Sequence, residues 1–188
     1  MKLIGTSRFL TSVALLALPF LLVAGTAGAQ VIHEDSTATQ ILGLQVGQET
    51  YDVTFVYGTA ADIYPGDAFD FFSHADALLA VEAIRDAFNA LWSCTDPSCC
   101  DSPGGGTEIR SVGPQEEADF FVAYDRAGNQ MNIDFGSLFI DTQACTRFIW
   151  EAIGPDVVAS DATVTWAVFS DPVPVEFNTW GRIKSLFE

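Results

Sequence analysis

The groups able to do chemistry in this chain of 188 residues are two histidines, four cysteines and 25 carboxylates. Histidine is the usual general base, yet neither His33 nor His74 stands in a catalytic spacing. No Gly-x-Ser-x-Gly, His-Glu-x-x-His or Ser-x-x-Lys pattern occurs. Ser137 follows Gly136 but lacks the second glycine of a nucleophile elbow. His33 falls in a polar lead-in and His74 in the first turn of a predicted helix, so both read as solvated surface residues. No catalytic residue is assigned. A pair of acids working as in a glycosidase stays open, because two carboxylates at any chosen spacing are easy to find among 25.

Hard oxygen ligands on turns suit calcium, which takes about 6–8 of them. Asp62, Asp67 and Asp70 surround Pro65-Gly66, and Asp125, Asn129, Asn132 and Asp134 surround a second turn at Gly128. Neither set has the EF-hand spacing. Asp125 and Asn129 also have the plainer role of bonding turn backbone. The six weak candidates are therefore Asp62, Asp67, Asp70, Asp125, Asn129 and Asp134, and no cofactor other than calcium is suggested.

The cysteines are Cys94, Cys99, Cys100 and Cys145. Zinc is disfavoured because the paired two-residue spacings are missing and the nearest histidine, His74, lies 20 residues before Cys94. A thioredoxin-type role fails for want of Cys-x-x-Cys. What decides the reading is the leader. Lys2 and Arg8 give a basic start, residues 13–24 are apolar apart from Pro19, and Ala27-Gly28-Ala29 supplies a small-x-small cleavage pattern. Residues 1–29 thus read as an export signal, with an uncleaved anchor as the alternative. In an oxidising compartment an even count of cysteines favours two disulfides. A bond between the neighbours Cys99 and Cys100 is discounted for strain. One of the three clustered cysteines is expected to reach Cys145, and Cys94 can close a small loop to Cys99 or Cys100.

Beyond residue 29 the chain holds six basic residues against all 25 acids, a formal charge of −19. Such a field repels nucleic acid and anionic membrane, and favours cations, basic proteins or simply solubility. About 159 residues suffice for one domain with a real core, so 30–188 reads as a single globular unit without a membrane span.

These groups must be carried by elements. Residues 31–39 read as a flexible lead-in, and 40–46 as a strand turning at Gly47-Gln48. Tyr51, Val53, Phe55 and Tyr57 then alternate with polar residues on a return strand that ends at Gly58-Thr59. Residues 62–70 read as a loop. Ser73 with Asp76 approximates a capping box, opening a helix whose stripe is Leu78, Val81, Ile84, Phe88 and Leu91, with Glu82, Arg85, Asp86 and Asn89 opposite. Residues 93–113 read as a loop stapled by sulfur, and Gly104-Gly105-Gly106 lacks the Lys-Ser/Thr pair of a phosphate cradle. An interior strand at 119–125 turns at Ala127-Gly128-Asn129 into another at 130–135. Asp141 or Thr142 can cap a second helix in which Cys145, Phe148, Ile149 and Ala152 share a side and Gly154-Pro155 is the stop, with a strand around 147–150 as the alternative. A last strand covers 163–169. The fold class expected is α+β: a largely antiparallel sheet of five or six strands with one main amphipathic helix on one face.

Leu44-Gln45-Val46-Gly47, Tyr51-Asp52-Val53-Thr54-Phe55-Val56, Gly58-Thr59, Ser73-His74-Ala75-Asp76-Ala77 and Trp166-Ala167-Val168-Phe169 together resemble small exported bacterial proteins of unknown function. Many of those carry a Pro-Glu-Pro sorting tail, a motif that residues 171–188 lack. The resemblance implies export and this order of elements, and it carries over no catalytic residue. The function expected is therefore an exported protein, secreted or periplasmic, acting as a non-enzymatic binding or envelope/extracellular-matrix component. A secreted carboxylate-dependent hydrolase and a calcium-stabilised structural domain are the alternatives. Full reduction of the exported protein should add about four daltons, two per disulfide. An unchanged mass would show the thiols to be free.

Overall fold

The computed structural model describes residues 28–91, 109–141 and 147–170. The four cysteines, nearly all of the leader, the glycine run at 104–106 and the segment 171–188 lie outside the described residues, and with them the expectations placed there.

Within the described residues the strands are β1 (Gln30–Glu34), β2 (Thr37–Val46), β3 (Glu49–Thr59), β4 (Ser111–Val112), β5 (Asp119–Ala127), β6 (Gln130–Asp141), β7 (Arg147–Ala159) and β8 (Thr163–Phe169). The helices are α1 (Ala60–Ile63) and α2 (His74–Ala90). One sheet holds all eight strands in the order β1-β2-β3-β8-β5-β6-β7, with β4 added beside β2. Adjacent pairs are antiparallel except β5 with β8 and β4 with β2. The expectation of an α+β fold with one main helix holds. The expected five or six strands are corrected to eight, and the sheet expected to be largely antiparallel is mixed, with two parallel pairs. The parallel pair arises because β8 returns from the far hairpin to slot between β3 and β5.

Two corrections account for β1 and β7, and the two-residue β4 falls at the end of the segment 93–113 expected to be a loop. The lead-in at 31–39 is not loose: it forms β1, a turn at Asp35-Ser36 and the start of β2, with Val31 buried and the polar ends Gln30 and Glu34 exposed, as suits an edge strand. The predicted helix over 141–153 is instead the strand β7, the reading kept as its alternative. Gly154-Pro155, the expected helix stop, is instead a bulge in β7: Ile133 pairs with Asp156 but Phe135 pairs with Ile153, so Gly154 and Pro155 together face the single residue Asp134. An extra residue shifts the period-2 phase and sends Val158 to the opposite side of the sheet from Trp150 and Ala152. Pro155 sits in that bulge, where a missing N–H is tolerated.

α2 begins as expected. The Ser73 hydroxyl accepts from Asp76 N at 3.2 Å and donates to Asp76 Oδ2 at 2.6 Å. Thr59 caps α1 in the same manner through Asp62, which places one helical turn where a loop was expected. The buried face of α2 is Ala77, Ala80, Val81, Ile84 and Phe88, with alanines replacing the expected Leu78 and Leu91 at its centre.

The sheet curls around this helix. α2 comes closer to β2 on one flank and to β5, β6 and β7 on the other than to β3 and β8 between them. Rings fill the deeper middle, where Phe55, Phe88, Phe120 and Trp150 pack with centroids 4.9 to 6.1 Å apart. The curl brings the free edge of β7 to the helix end: Asn89 Nδ2 donates to Trp150 O at 2.9 Å, and its Oδ1 accepts from Trp150 N at 3.2 Å. Asn89 was assigned to the solvent side, and it instead satisfies edge backbone that would otherwise lie open. The other face of the sheet is covered by α1 and the aromatic residues after it. Tyr64 and Phe69 close over Trp166, Ala123, Met131 and Ile133, and Trp166 Nε1 donates to Gly58 O at 3.0 Å.

Gly136 is the tightest point in the main core, since a Cβ there would lie 2.3 Å from the Phe120 ring. Gly136→Ala should therefore cost about 1–3 kcal/mol through forced repacking of Phe120. Urea denaturation is the measurement, and an unchanged midpoint would contradict this packing.

Candidate functional site

The side-chain cluster with the most chemical content lies where the first turn of α2 meets β6. Asp134 is fully buried, at 0% exposure, and His74 is 44% exposed. His74 Nδ1 stands 2.8 Å from Asp134 Oδ2, so Nδ1–H donates to the carboxylate and Nε2 is the ring nitrogen without a partner among the described residues. The second carboxylate oxygen, Oδ1, is buried with no hydrogen-bond partner. It lies against Gly154, where a Cβ would come within 2.0 Å of it. Only glycine leaves room for this carboxylate beneath the helix.

Two bulges frame Asp134. One is the Gly154-Pro155 pair on β7. The other is on β5, where Ala123 pairs with Ile133 but Asp125 pairs with Asn132, leaving Tyr124 as the extra residue. Tyr124 thereby turns toward His74, ring centroids 5.9 Å apart, while Asp125 accepts from Asn132 Nδ2 at 3.1 Å. Bulges concentrate beside functional sites because they re-aim side chains.

Burial pushes the Asp134 carboxyl above its ordinary value of 3.8, opposed by the hydrogen bond and charge of His74. Burial also raises the Tyr124 hydroxyl, helped by the negative charges of Asp134 and Asp125. The pair can orient an imidazole as a general base or hold a donor group of a ligand at Nε2. Asp134 is the one hydrogen-bond partner of the His74 ring among the described residues, and no hydroxyl of those residues bonds it.

The calcium candidates take the following partners in the fold. Asp62 bonds Thr59, Asp67 pairs with Arg126 at 2.9 Å, and Asp70 Oδ2 accepts from Phe169 N at 3.0 Å. Asp125 holds Asn132, the Asn129 carbonyl accepts from Ser160 N at 2.8 Å, and Asp134 faces α2. The Asp67–Arg126 pair ties the two loops to each other. Among the described residues no group of three or more His, Cys, Asp or Glu side chains is disposed to hold a metal.

A separate groove of about 400 Å³ lies on the opposite flank of α2, lined by Tyr51, Phe71, Phe72 and Leu79 with Glu49, Asp70 and Asp76 at its rim. Tyr51 donates to Glu49 Oε2 at 2.5 Å, and its hydroxyl is pushed up to about 12 by burial and then by Glu49. Sequence reasoning placed His74 at the surface and Asp134 on a turn. What it missed is that the face Asn132-Asp134-Gly136 of a strand at 130–135 lies under the helix. The one available signal was an interior strand whose second face carries a lone Asp followed by Gly.

Neither protein-family models, nor curated proteins, nor solved structures yield a match to this chain.

Because the folded carboxyl of Asp134 binds its proton more tightly than the unfolded one, its stabilising contribution is complete at low pH. That contribution is lost as pH rises from 3.8 through the raised folded value. Asp134→Asn should flatten this part of the stability profile, read as denaturation midpoints across acid to neutral pH. A wild-type profile that does not fall there would contradict the burial of a strained carboxylate.

Proposed function

We propose that this chain is an exported, non-enzymatic binding component, with the groove beside α2 as its contact surface. The observation that carries this reading is Phe72, an aromatic residue 80% exposed at the lip of the groove, with Leu79 48% exposed beside it. A soluble chain does not gain by presenting a phenylalanine to water, and exposed apolar groups rimmed by polar ones mark contact sites. The acidic rim and the charge of −17 favour a partner that is basic as well as apolar. The leader and the resemblance to small exported proteins support an envelope or extracellular setting. Phe72→Ser leaves the core untouched and should abolish retention of partners from an envelope extract that the parent protein retains. Equal retention by both would remove the groove as the contact surface.

A second reading, a secreted hydrolase working through a carboxylate, is favoured by the geometry of His74 on the buried Asp134. It requires a water nucleophile, since no side-chain nucleophile bonds His74 among the described residues. Turnover of a glycoside, ester or peptide substrate that disappears in a folded His74→Gln variant would establish it. Silence across all three classes would dispose of it.

A further inference from the structure

We infer that the His74–Asp134 pair is a proton-operated latch that seats the first turn of α2 on β6 and loosens when the pair gives up its titrating proton. With that proton present the pair is neutral overall, as imidazolium with carboxylate or as imidazole with carboxylic acid. With it gone, one negative charge remains in a site of 0% exposure, held by a single neutral N–H donor and with Oδ1 receiving nothing. A buried charge left so poorly compensated is costly. The structure can relieve it only by letting water in, and the movable partner is the helix turn that carries His74.

The surrounding groups set the direction. From β5, Tyr124 packs against the His74 ring, and Asp125 on the same strand accepts from Asn132. From β6 the neighbour is Asn132, and from β7 the residues are Gly154 and Pro155, which do not titrate. On α2 itself Asp76 is the nearest acid, one turn position on and bonded to Ser73. Among the described residues no lysine or arginine pairs with either member. Burial of Asp134 therefore holds the proton on the pair, and the latch is tight at lower pH and loose at higher pH. The switch is set by the charge of the buried contact as a whole, which both residues make.

Loosening has a consequence for the groove, because Asp76 and Leu79 follow His74 on α2 and line the groove's wall. That consequence rests on the binding reading, whereas the latch is measured on the helix turn and stands or falls independently of any ligand.

Amide hydrogen exchange of the full chain across acid to alkaline pH, corrected for intrinsic rates, tests the latch. Protection at residues 75–80 should fall about tenfold or more relative to 84–90 as pH rises through the pair's titration, one decade per unit of pKa separation. Asp134→Asn should make that ratio independent of pH. His74→Gln retains a donor but cannot take up a proton, and should show the loosened ratio already at low pH, down to the point where the carboxyl itself protonates. The second variant keeps the test decisive if the first does not fold. A wild-type ratio that does not change with pH, or the same pH dependence in either variant, would overturn the latch.

Discussion

Helix α2 cannot lie evenly on the sheet beneath it, because the sheet offers it rings in one place and almost nothing in another. Phe55, Phe120 and Trp150 stand under Phe88 near its end, while Asp134 and Gly154 lie under its beginning, with Gly136 beside them. The sheet answers by curling, so that its flanks reach the helix and its centre is bridged by aromatic side chains. Each such ring buries roughly 1.5–3 kcal/mol worth of apolar surface, which makes this arrangement the main stabilising feature of the domain.

Two polar contacts follow from the curl and fix the helix at both ends. Asn89 bonds the N–H and C=O of Trp150 on the β7 edge, and His74 bonds the buried Asp134. They differ in kind. The Asn89 contact satisfies backbone that would otherwise lie at an open strand edge, and it carries no charge. The His74 contact introduces a carboxylate into a place where one of its oxygens has no partner, a cost that an apolar residue at 134 would avoid. A costly group kept at the meeting point of two bulges is what a functional constraint looks like.

Much of the scaffold was legible in the residues. Tyr51, Val53 and Phe55 alternate cleanly, Ser73 and Asp76 cap α2 as their spacing implied, and Thr163–Phe169 is a strand with the bounds expected of it. What could not be read depended on register. Phe148 and Ile149 put apolar groups on both faces of β7, which blurred its period-2 signal, and the bulge at Gly154-Pro155 imitated the end of a helix. The polar residues of β1 concealed a strand that survives only because β2 and the curl of the sheet support it. The site was illegible for the same reason. His74 and Asp134 are 60 positions apart, and only the seating of α2 over the covered face of β6 brings them within 2.8 Å.

The central claim, that the first turn of α2 is seated on a buried carboxylate, is open to one direct observation. A long-range ¹H–¹⁵N spectrum of the imidazole, recorded at a pH where the first turn of α2 is seated, reports whether Nδ1 of His74 holds a proton in a bond to Asp134. We expect the proton on Nδ1, shifted downfield and slow to exchange with water because it lies in the bond to Asp134. An Nδ1 that carries no proton, or one that exchanges freely, would mean that the bond is not made, and the account of this site would be wrong.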